Sequence, residues 1–128
     1  MTGHPVFAAV YDRLTRSAER NFLGAHRAWL CARAIGRVLD LGAGTGANFS
    51  FASADAEIIA VEPDPYMLER ARRRAEALGR AFTFLPDAAE ALSLRTASVD
   101  AALATLVLCT IGDPARALGE IRRVLRPG

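Results

Sequence analysis

The chain contains 128 residues, of which 52% are hydrophobic and 23% are charged, and its formal net charge is +2. This composition is typical of one compact globular domain. No apolar stretch approaches the roughly 20 residues of a membrane span, and residues 1–5 lack the basic and then apolar start of a secretory signal. We therefore expect a cytoplasmic protein without a transmembrane segment.

The distribution of charge and of potential metal ligands excludes two classes of function. Residues 37–64 carry one Arg against five acidic residues, and this acidic block includes a glycine-rich segment. An acidic surface repels phosphate backbones, so no nucleic-acid partner is expected. No metal site is expected either, because metal-ligand spacing is absent among the cysteines and histidines, which are Cys31, Cys109, His4 and His26.

The N-terminal segment, residues 1–36, is predicted to be a helical cap. Apolar residues recur every three or four positions over residues 6–34, which indicates one or two amphipathic helices whose apolar stripe includes Ala25, Trp29 and Ala32. The positions between them carry basic side chains, namely Arg13, Arg16, Arg20 and Arg27. These arginines form either a solvated face or a peripheral contact with an anionic membrane.

Residues 37–128 alternate between strand and helix patterns. Short apolar runs predict strands at 37–41, 57–61, 81–85 and 99–104. A short helix is expected after the glycines, and longer helices are expected after Asp64 and Asp113, each an N-cap residue followed by Pro. The alternation predicts an open, mainly parallel α/β sheet with crossover helices.

A glycine-rich turn follows the first predicted strand, in the segment VLDLGAGTG at 38–46. Glycine lets the backbone turn sharply and lets a ligand approach the amides. Glu62 ends the next strand 20 residues after Gly42, a spacing at which a carboxylate can accept hydrogen bonds from both hydroxyls of a ribose. The pattern indicates a nucleotide-type ligand, although an ordinary strand-to-helix turn with a solvated carboxylate also fits it.

Two cofactor classes fit a ribose-binding carboxylate above a glycine turn. Gly42, Gly44 and Ala47 satisfy a permissive dinucleotide fingerprint, so an NAD-linked oxidoreductase domain is one hypothesis. Asp40 opposes it, because a carboxylate two residues before the first glycine repels a pyrophosphate and attracts an ammonium or sulfonium group. The acidic block at 37–64 favours the same cationic ligand.

The motifs together resemble a known family. They are VLDLGAGTG (38–46), VEPDPYML (61–68), DAAE (87–90), SVD (98–100) and RRVLRPG (122–128). In type and order they resemble the class I S-adenosylmethionine-dependent methyltransferases of the small-molecule and lipid-quinone type, over residues 37–128. The segment TLVLCT at 105–110 resembles the branch that includes the thiol methyltransferases. The resemblance implies a Rossmann-like sheet with helices on both faces and methyl transfer from S-adenosylmethionine to a small-molecule or lipid-like acceptor.

The resemblance also implies roles for individual residues. Gly42, Gly44 and Gly46 would line the methionine part of the cofactor, with Asp40 facing its amino group. Glu62 would bind the ribose hydroxyls. The remaining residues implied by the resemblance are Pro63 and Met67 bordering the adenine, Asp87 and the Ala88 amide at the adenine edge, and Thr105 and Leu106 beside the transferable methyl. Asp87 has an alternative role as the N-cap of a helix at 88–92.

No residue stands out as a catalytic base, and the reaction requires no metal, because the cofactor is already activated. His4, His26 and Tyr11 are candidates only because an N-terminal helix covers the site in similar enzymes. In such enzymes the sheet continues past an Arg-Pro-Gly turn like that at 126–128, so we expect later strands to be missing here. The fourth strand would then form an exposed edge that is open to pairing with a second copy of the chain. A further alternative is that the chain is a binding module without turnover.

Overall fold

The computed structural model describes residues 6, 8, 10, 23–105, 107 and 110–128. In chain order, its elements are helix α1 (Gly24–Arg33), strand β1 (Arg37–Leu41), a 3-10 turn (Phe49–Phe51), strand β2 (Glu57–Val61), helix α2 (Pro65–Ala77), strands β3 (Thr83–Leu85) and β4 (Ala101–Leu103), and helix α3 (Pro114–Val124).

The four strands form one parallel sheet in the order β3-β2-β1-β4. Leu41 at the end of β1 pairs with Val61 at the end of β2, and Asp40 pairs with Leu103 at the end of β4. The strand order changes direction between β1 and β4. In an open α/β sheet, the crevice at such a switch point binds ligands.

Side chains of β1 alternate between two apolar layers, as expected for a strand buried on both faces. Val38 packs in a layer with residues of α1 and α2, including Cys31 and Ala71. Leu39 packs in the opposite layer with residues of α3, including Ala117. The helices therefore cover both faces of the sheet, which confirms the predicted fold class.

The two predicted N-caps are confirmed. The Asp64 carboxylate accepts hydrogen bonds from the amides of Tyr66 and Met67, and Pro65 is the first residue of α2. Asp113 accepts from the Arg116 amide in the same way before α3. Each carboxylate satisfies amides that the helix itself leaves unpaired.

Two predicted strands are shorter than expected. β3 begins at Thr83 rather than at residue 81. β4 begins at Ala101, where its pairing with Val38 of β1 starts. The residue at the expected start, Val99, forms an isolated parallel bridge with Leu125 after α3. The Val99 amide donates to the carbonyl of Val124. The sequence suggested an edge next to β4 that is open along its whole length. Instead, the start of this edge is paired.

The orientation of α1 corrects the predicted apolar stripe. Ala25, Trp29 and Ala32 are exposed, with Trp29 at 58%. Arg27, assigned to a solvated or membrane-facing surface, is only 5% exposed. The other arginines of the predicted basic face lie outside the described residues. No helix in the described part of the chain is both long and apolar enough to cross a membrane.

Candidate cofactor-binding site

The candidate site lies at the carboxyl ends of the four parallel strands. The glycine turn follows β1, Glu62 follows β2, Asp87 lies two residues after β3, and Thr105 lies two residues after β4. Because parallel strands end at the same edge of a sheet, residues far apart in the chain meet there. The predicted site residues therefore lie on one side of the fold.

The glycine turn has a backbone that requires glycine. Gly42, Gly44 and Gly46 have φ angles of +63°, +58° and +88°, in the left-handed region that other residues avoid. A Cβ atom on Gly42 would overlap the side chain of Val107. Among the residues that the structure describes, a Cβ on Gly44 would meet only the Met67 methyl, at 3.6 Å. The backbone at Gly44 therefore has open space beside it that a ligand can approach.

Glu62 connects the ends of two strands through its carboxylate. Its Oε1 accepts a hydrogen bond from the Gly44 amide at 3.0 Å, and its Oε2 accepts from the Asp64 amide at 2.9 Å. Glu62 is 8% exposed, and burial raises the pKa of its carboxyl group above the usual value, while the two amide bonds oppose that rise. Each oxygen keeps a further acceptor site for a ligand hydroxyl.

Asp40 belongs to a buried polar cluster that the sequence did not indicate, formed by Arg27, Asp40, Asn48 and Thr105. The Asn48 Nδ2 donates to Asp40 Oδ1 at 3.1 Å and to Thr105 Oγ1 at 3.1 Å. The Arg27 Nη1 donates to Asn48 Oδ1 at 2.7 Å and to Thr105 Oγ1 at 3.0 Å. This cluster joins α1, β1, the glycine turn and the end of β4.

The second oxygen of Asp40 is buried and has no hydrogen-bond partner among the described residues. Burial raises the pKa of the Asp40 carboxyl to about 6, while hydrogen bonding to Asn48 and the charge of Arg27 oppose that rise. An unpaired buried carboxylate oxygen is costly. A cationic donor placed against this oxygen would remove that cost.

Cys31 lies beside this cluster and is a structural thiol. It is 1% exposed, and its Sγ donates to the Asn48 carbonyl at 3.8 Å. Burial, with a smaller contribution from the charge of Asp40, raises the pKa of the thiol to about 11. The thiol is therefore protonated at neutral pH and unsuited to act as a nucleophile.

A cavity of about 250 Å³ opens between the ends of β1, β2 and the loop after β3. Its lining includes Gly42, Glu62, Pro63 and Ala88, which are all predicted site residues. The other lining residues, which sequence reasoning did not assign to the site, are Val61, Ala89, Glu90, Val107, Thr110, Ile111 and Gly112. The mixture of two acidic side chains, Glu62 and Glu90, with apolar walls suits a nucleoside.

Some predicted residues lie away from this cavity. Asp87 accepts hydrogen bonds through Oδ2 from the amide and the hydroxyl of Ser93, at 2.8 and 2.7 Å. Residues 88–92 form a turn rather than a helix, so Asp87 is not an N-cap. His26 is exposed on α1, and Leu106, His4 and Tyr11 lie outside the described residues. The described residues contain no cluster of potential metal ligands.

The residues of the site fit S-adenosylmethionine better than a dinucleotide. The unpaired Asp40 oxygen suits the ammonium group of the cofactor, and the Glu62 carboxylate suits the two hydroxyls of its ribose. Open space at Gly44 leaves room for the ligand backbone. A pyrophosphate at the same turn would place its negative charge near two buried carboxylates, which is unfavourable.

The comparisons with known proteins point to one enzyme family. Residues 39–128 match the family model described as a methyltransferase domain. Human thiol S-methyltransferase TMT1B is 36% identical over 95 residues, which cover 71% of this chain and 38% of the relative. An uncharacterized methyltransferase of Mycobacterium tuberculosis strain H37Rv is 43% identical over 101 residues, which cover 78% of this chain and 40% of the relative.

A solved structure extends the similarity to the fold. The S-adenosylmethionine-dependent methyltransferase of Thermotoga maritima aligns with a TM-score of 0.78 and 32% identity, over 97% of this chain and 56% of that chain. This chain thus spans less than half the length of the two curated relatives named above. The family match and the similar solved structure agree with the parallel sheet and the glycine turn described above. The chain therefore belongs to the class I S-adenosylmethionine-dependent methyltransferases.

Proposed function

We propose that this protein transfers the methyl group of S-adenosylmethionine to a thiol of a small-molecule acceptor. The observation that carries the proposal is the convergence of Glu62, the Gly44 amide and the unpaired Asp40 oxygen at one end of the sheet. The thiol class is supported by the 36% identity to human thiol S-methyltransferase TMT1B.

Each part of the cofactor has a complementary group in the proposed site. Glu62 accepts hydrogen bonds from the ribose hydroxyls, and Asp40 accepts one from the ammonium group. Pro63, Met67 and Ala88 provide apolar contacts for the adenine, and Thr105 lies beside the transferable methyl. When bound, the cofactor supplies a methyl group already activated on a sulfonium, which a nucleophile displaces in line. The protein contributes alignment and exclusion of water.

The chemistry of the acceptor itself favours a thiol. The proposed acceptor must lose its proton before or during attack, and the described residues that line the cavity include no histidine. A thiol with a pKa of about 8.5 is partly ionised at neutral pH, whereas an alcohol or a protonated amine is far less reactive without a base. A thiol therefore needs the least help from the protein.

In the proposed organisation, residues 37–128 form the cofactor-binding domain and residues 1–36 form a cap above it. Helix α1 is consistent with this arrangement, because Arg27 reaches Asn48 in the loop after the glycine turn. The acceptor then enters between the cap and the loop that contains Thr105. Differences in these two segments would determine which thiols fit.

The test is a methyl-transfer assay with the purified chain, S-adenosylmethionine labelled on its methyl group, and matched alkyl compounds that carry a thiol, an alcohol or an amine. We expect label in the thioether product alone. Transfer to the alcohol or the amine but not to the thiol would contradict the acceptor class. Binding of S-adenosylhomocysteine without transfer to any acceptor would instead favour a binding module without turnover.

A further inference from the structure

Arg27 is a buried charged residue whose side chain enters the cofactor site from α1. It is 5% exposed, although it lies on a short surface helix. Burying a guanidinium is costly unless it is hydrogen-bonded and its charge is compensated. The bonds to Asn48 and Thr105, at 2.7 and 3.0 Å, meet the first requirement.

The chemistry of these partners fixes the orientation of the Asn48 amide. A guanidinium has only donors, so it bonds to the amide oxygen of Asn48, and the amide nitrogen is turned towards acceptors. Those acceptors are Asp40 Oδ1 and Thr105 Oγ1, both at 3.1 Å. Without the guanidinium, the Asn48 amide could rotate by half a turn and present its oxygen to the Asp40 carboxylate.

The orientation of Asn48 determines how Asp40 is presented. Because Asp40 Oδ1 is occupied by Asn48, the unpaired oxygen is Oδ2. The Arg27 charge also favours the ionised form of Asp40, while the neutral thiol of Cys31 is a second titratable group beside it in the described part of the chain. The ionised form is the one that attracts an ammonium group.

We propose that Arg27 is a positioning residue for the cofactor: by orienting Asn48 and Thr105 it holds Asp40 ready for the ammonium end of S-adenosylmethionine. Helix α1 is therefore part of cofactor recognition and not only a cover over the acceptor. The inference rests on the proposed function for the identity of the bound cofactor, but it does not depend on which acceptor is methylated.

The test compares two ligands that share the adenosine and differ at the other end. S-adenosylhomocysteine carries the ammonium group, and 5′-methylthioadenosine lacks the whole amino-acid part. In calorimetric titrations we expect Arg27→Met to lower the affinity for S-adenosylhomocysteine by at least about tenfold, which corresponds to the loss of one charge-assisted hydrogen bond. The affinity for 5′-methylthioadenosine should change by less than about twofold, because this ligand has no ammonium group for Asp40 to bind.

Two further variants keep the test decisive. Arg33→Met removes an exposed arginine of the same helix, which stacks on Trp29 at 3.7 Å, and should leave both affinities unchanged. Arg27→Lys keeps a buried cation and should recover part of the preference for S-adenosylhomocysteine over 5′-methylthioadenosine that Arg27→Met loses. If Arg27→Met does not fold, Arg27→Lys replaces it in the comparison.

Equal losses for the two ligands, or no loss for either, would overturn the inference. A chain that binds S-adenosylhomocysteine normally but transfers no methyl to a thiol would contradict the proposed function and leave this inference standing. A wild-type chain that binds neither ligand would contradict both, because Arg27 would then have no cofactor to position.

Discussion

The Oε1 atom of Glu62 accepts a hydrogen bond from the amide of Gly44 at 3.0 Å, and this bond joins the end of β2 to the turn after β1. Its other oxygen accepts from the Asp64 amide at the start of α2. One carboxylate thus holds the two loops that border the cofactor crevice. The residue expected to bind the ribose also shapes the site before any ligand arrives.

Glu62→Gln should weaken both the fold and cofactor binding. A glutamine has one acceptor oxygen where the carboxylate has two, so either the Gly44 or the Asp64 amide would face an NH₂ group. We expect a loss of about 1–3 kcal/mol in the free energy of unfolding, measured by urea denaturation. Affinity for S-adenosylhomocysteine should fall by at least about tenfold, because the second ribose acceptor is lost.

Glu69→Gln is the matched control for this change. Glu69 lies exposed on α2 and meets Arg73 at 3.4 Å, an exposed pair worth at most about 0.5 kcal/mol. If the two variants unfold at the same urea concentration and bind the ligand equally well, the anchoring role assigned to Glu62 is wrong.

Alanine substitutions at two glycines should have opposite effects. Gly42→Ala places a Cβ against Val107 at a φ of +63°, so it should destabilise the chain by about 1–2 kcal/mol or more and disturb the turn. Gly119→Ala adds a Cβ with no atom within 4 Å on an exposed face of α3, and should stabilise by about 0.5–1 kcal/mol. Thermal unfolding of both variants measures the difference in stability between them. A Gly42→Ala variant as stable as the wild type would contradict the requirement for glycine at this position.

Asp40→Asn should stabilise the chain at neutral pH while weakening the cofactor site. The folded-state pKa of Asp40 is raised to about 6 from 3.8, mainly by burial. The folded chain therefore binds the proton more tightly than the unfolded chain, and stability falls as the pH rises from about 4 to about 6. Removing this carboxyl should raise the free energy of unfolding by on the order of 1–2 kcal/mol above pH 7, and this gain should shrink towards pH 4.

The check on Asp40 is urea denaturation of wild type and Asp40→Asn at pH 4.5 and pH 7.5. Taking the difference between the two proteins removes the contributions of the other titrating groups. Wild-type affinity for S-adenosylhomocysteine should also decline below pH 6, where Asp40 becomes protonated, and the decline should be absent in the variant. A stability difference that does not change with pH would show that Asp40 titrates normally.

Arg123→Met should loosen the loop between β3 and β4. Arg123 donates to the carbonyls of Leu92 and Leu94 and pairs with Glu120 at 2.7 Å, while Glu120 also accepts from the Leu92 amide. We expect a lower free energy of unfolding, measured by urea denaturation, because these hydrogen bonds are lost together. The neighbouring Arg122→Met, at an exposed position, should lie within about 0.5 kcal/mol of wild type. Equal stability of the two variants would contradict this role for Arg123.

The sequence was sufficient for features that depend on local chemistry. Asp64 and Asp113 act as N-caps because their side chains reach amides two or three residues away. The positive φ angles of the glycine turn and the place of Glu62 at the end of β2 likewise follow from short patterns. The same patterns led correctly to the family and its cofactor.

Features that depend on distant partners could not be predicted. Helical periodicity assigned Arg27 to the outer face of α1, but its partners, Asn48 and Thr105, lie 21 and 78 residues away in the chain. The expected open edge at Val99 was wrong because Leu125, after α3, pairs with it. In each case a hydrogen bond between distant segments outweighed the local pattern.

The most direct test of the account is a calorimetric titration of the purified chain with S-adenosylhomocysteine and, separately, with NAD⁺. In the proposed site, Glu62 binds the ribose hydroxyls and Asp40 binds the ammonium group, and their positions at the ends of neighbouring strands support this assignment. We predict saturable one-to-one binding of S-adenosylhomocysteine and no measurable heat with NAD⁺. Binding of NAD⁺ in preference to S-adenosylhomocysteine, or an S-adenosylhomocysteine affinity unchanged by Glu62→Gln, would contradict it.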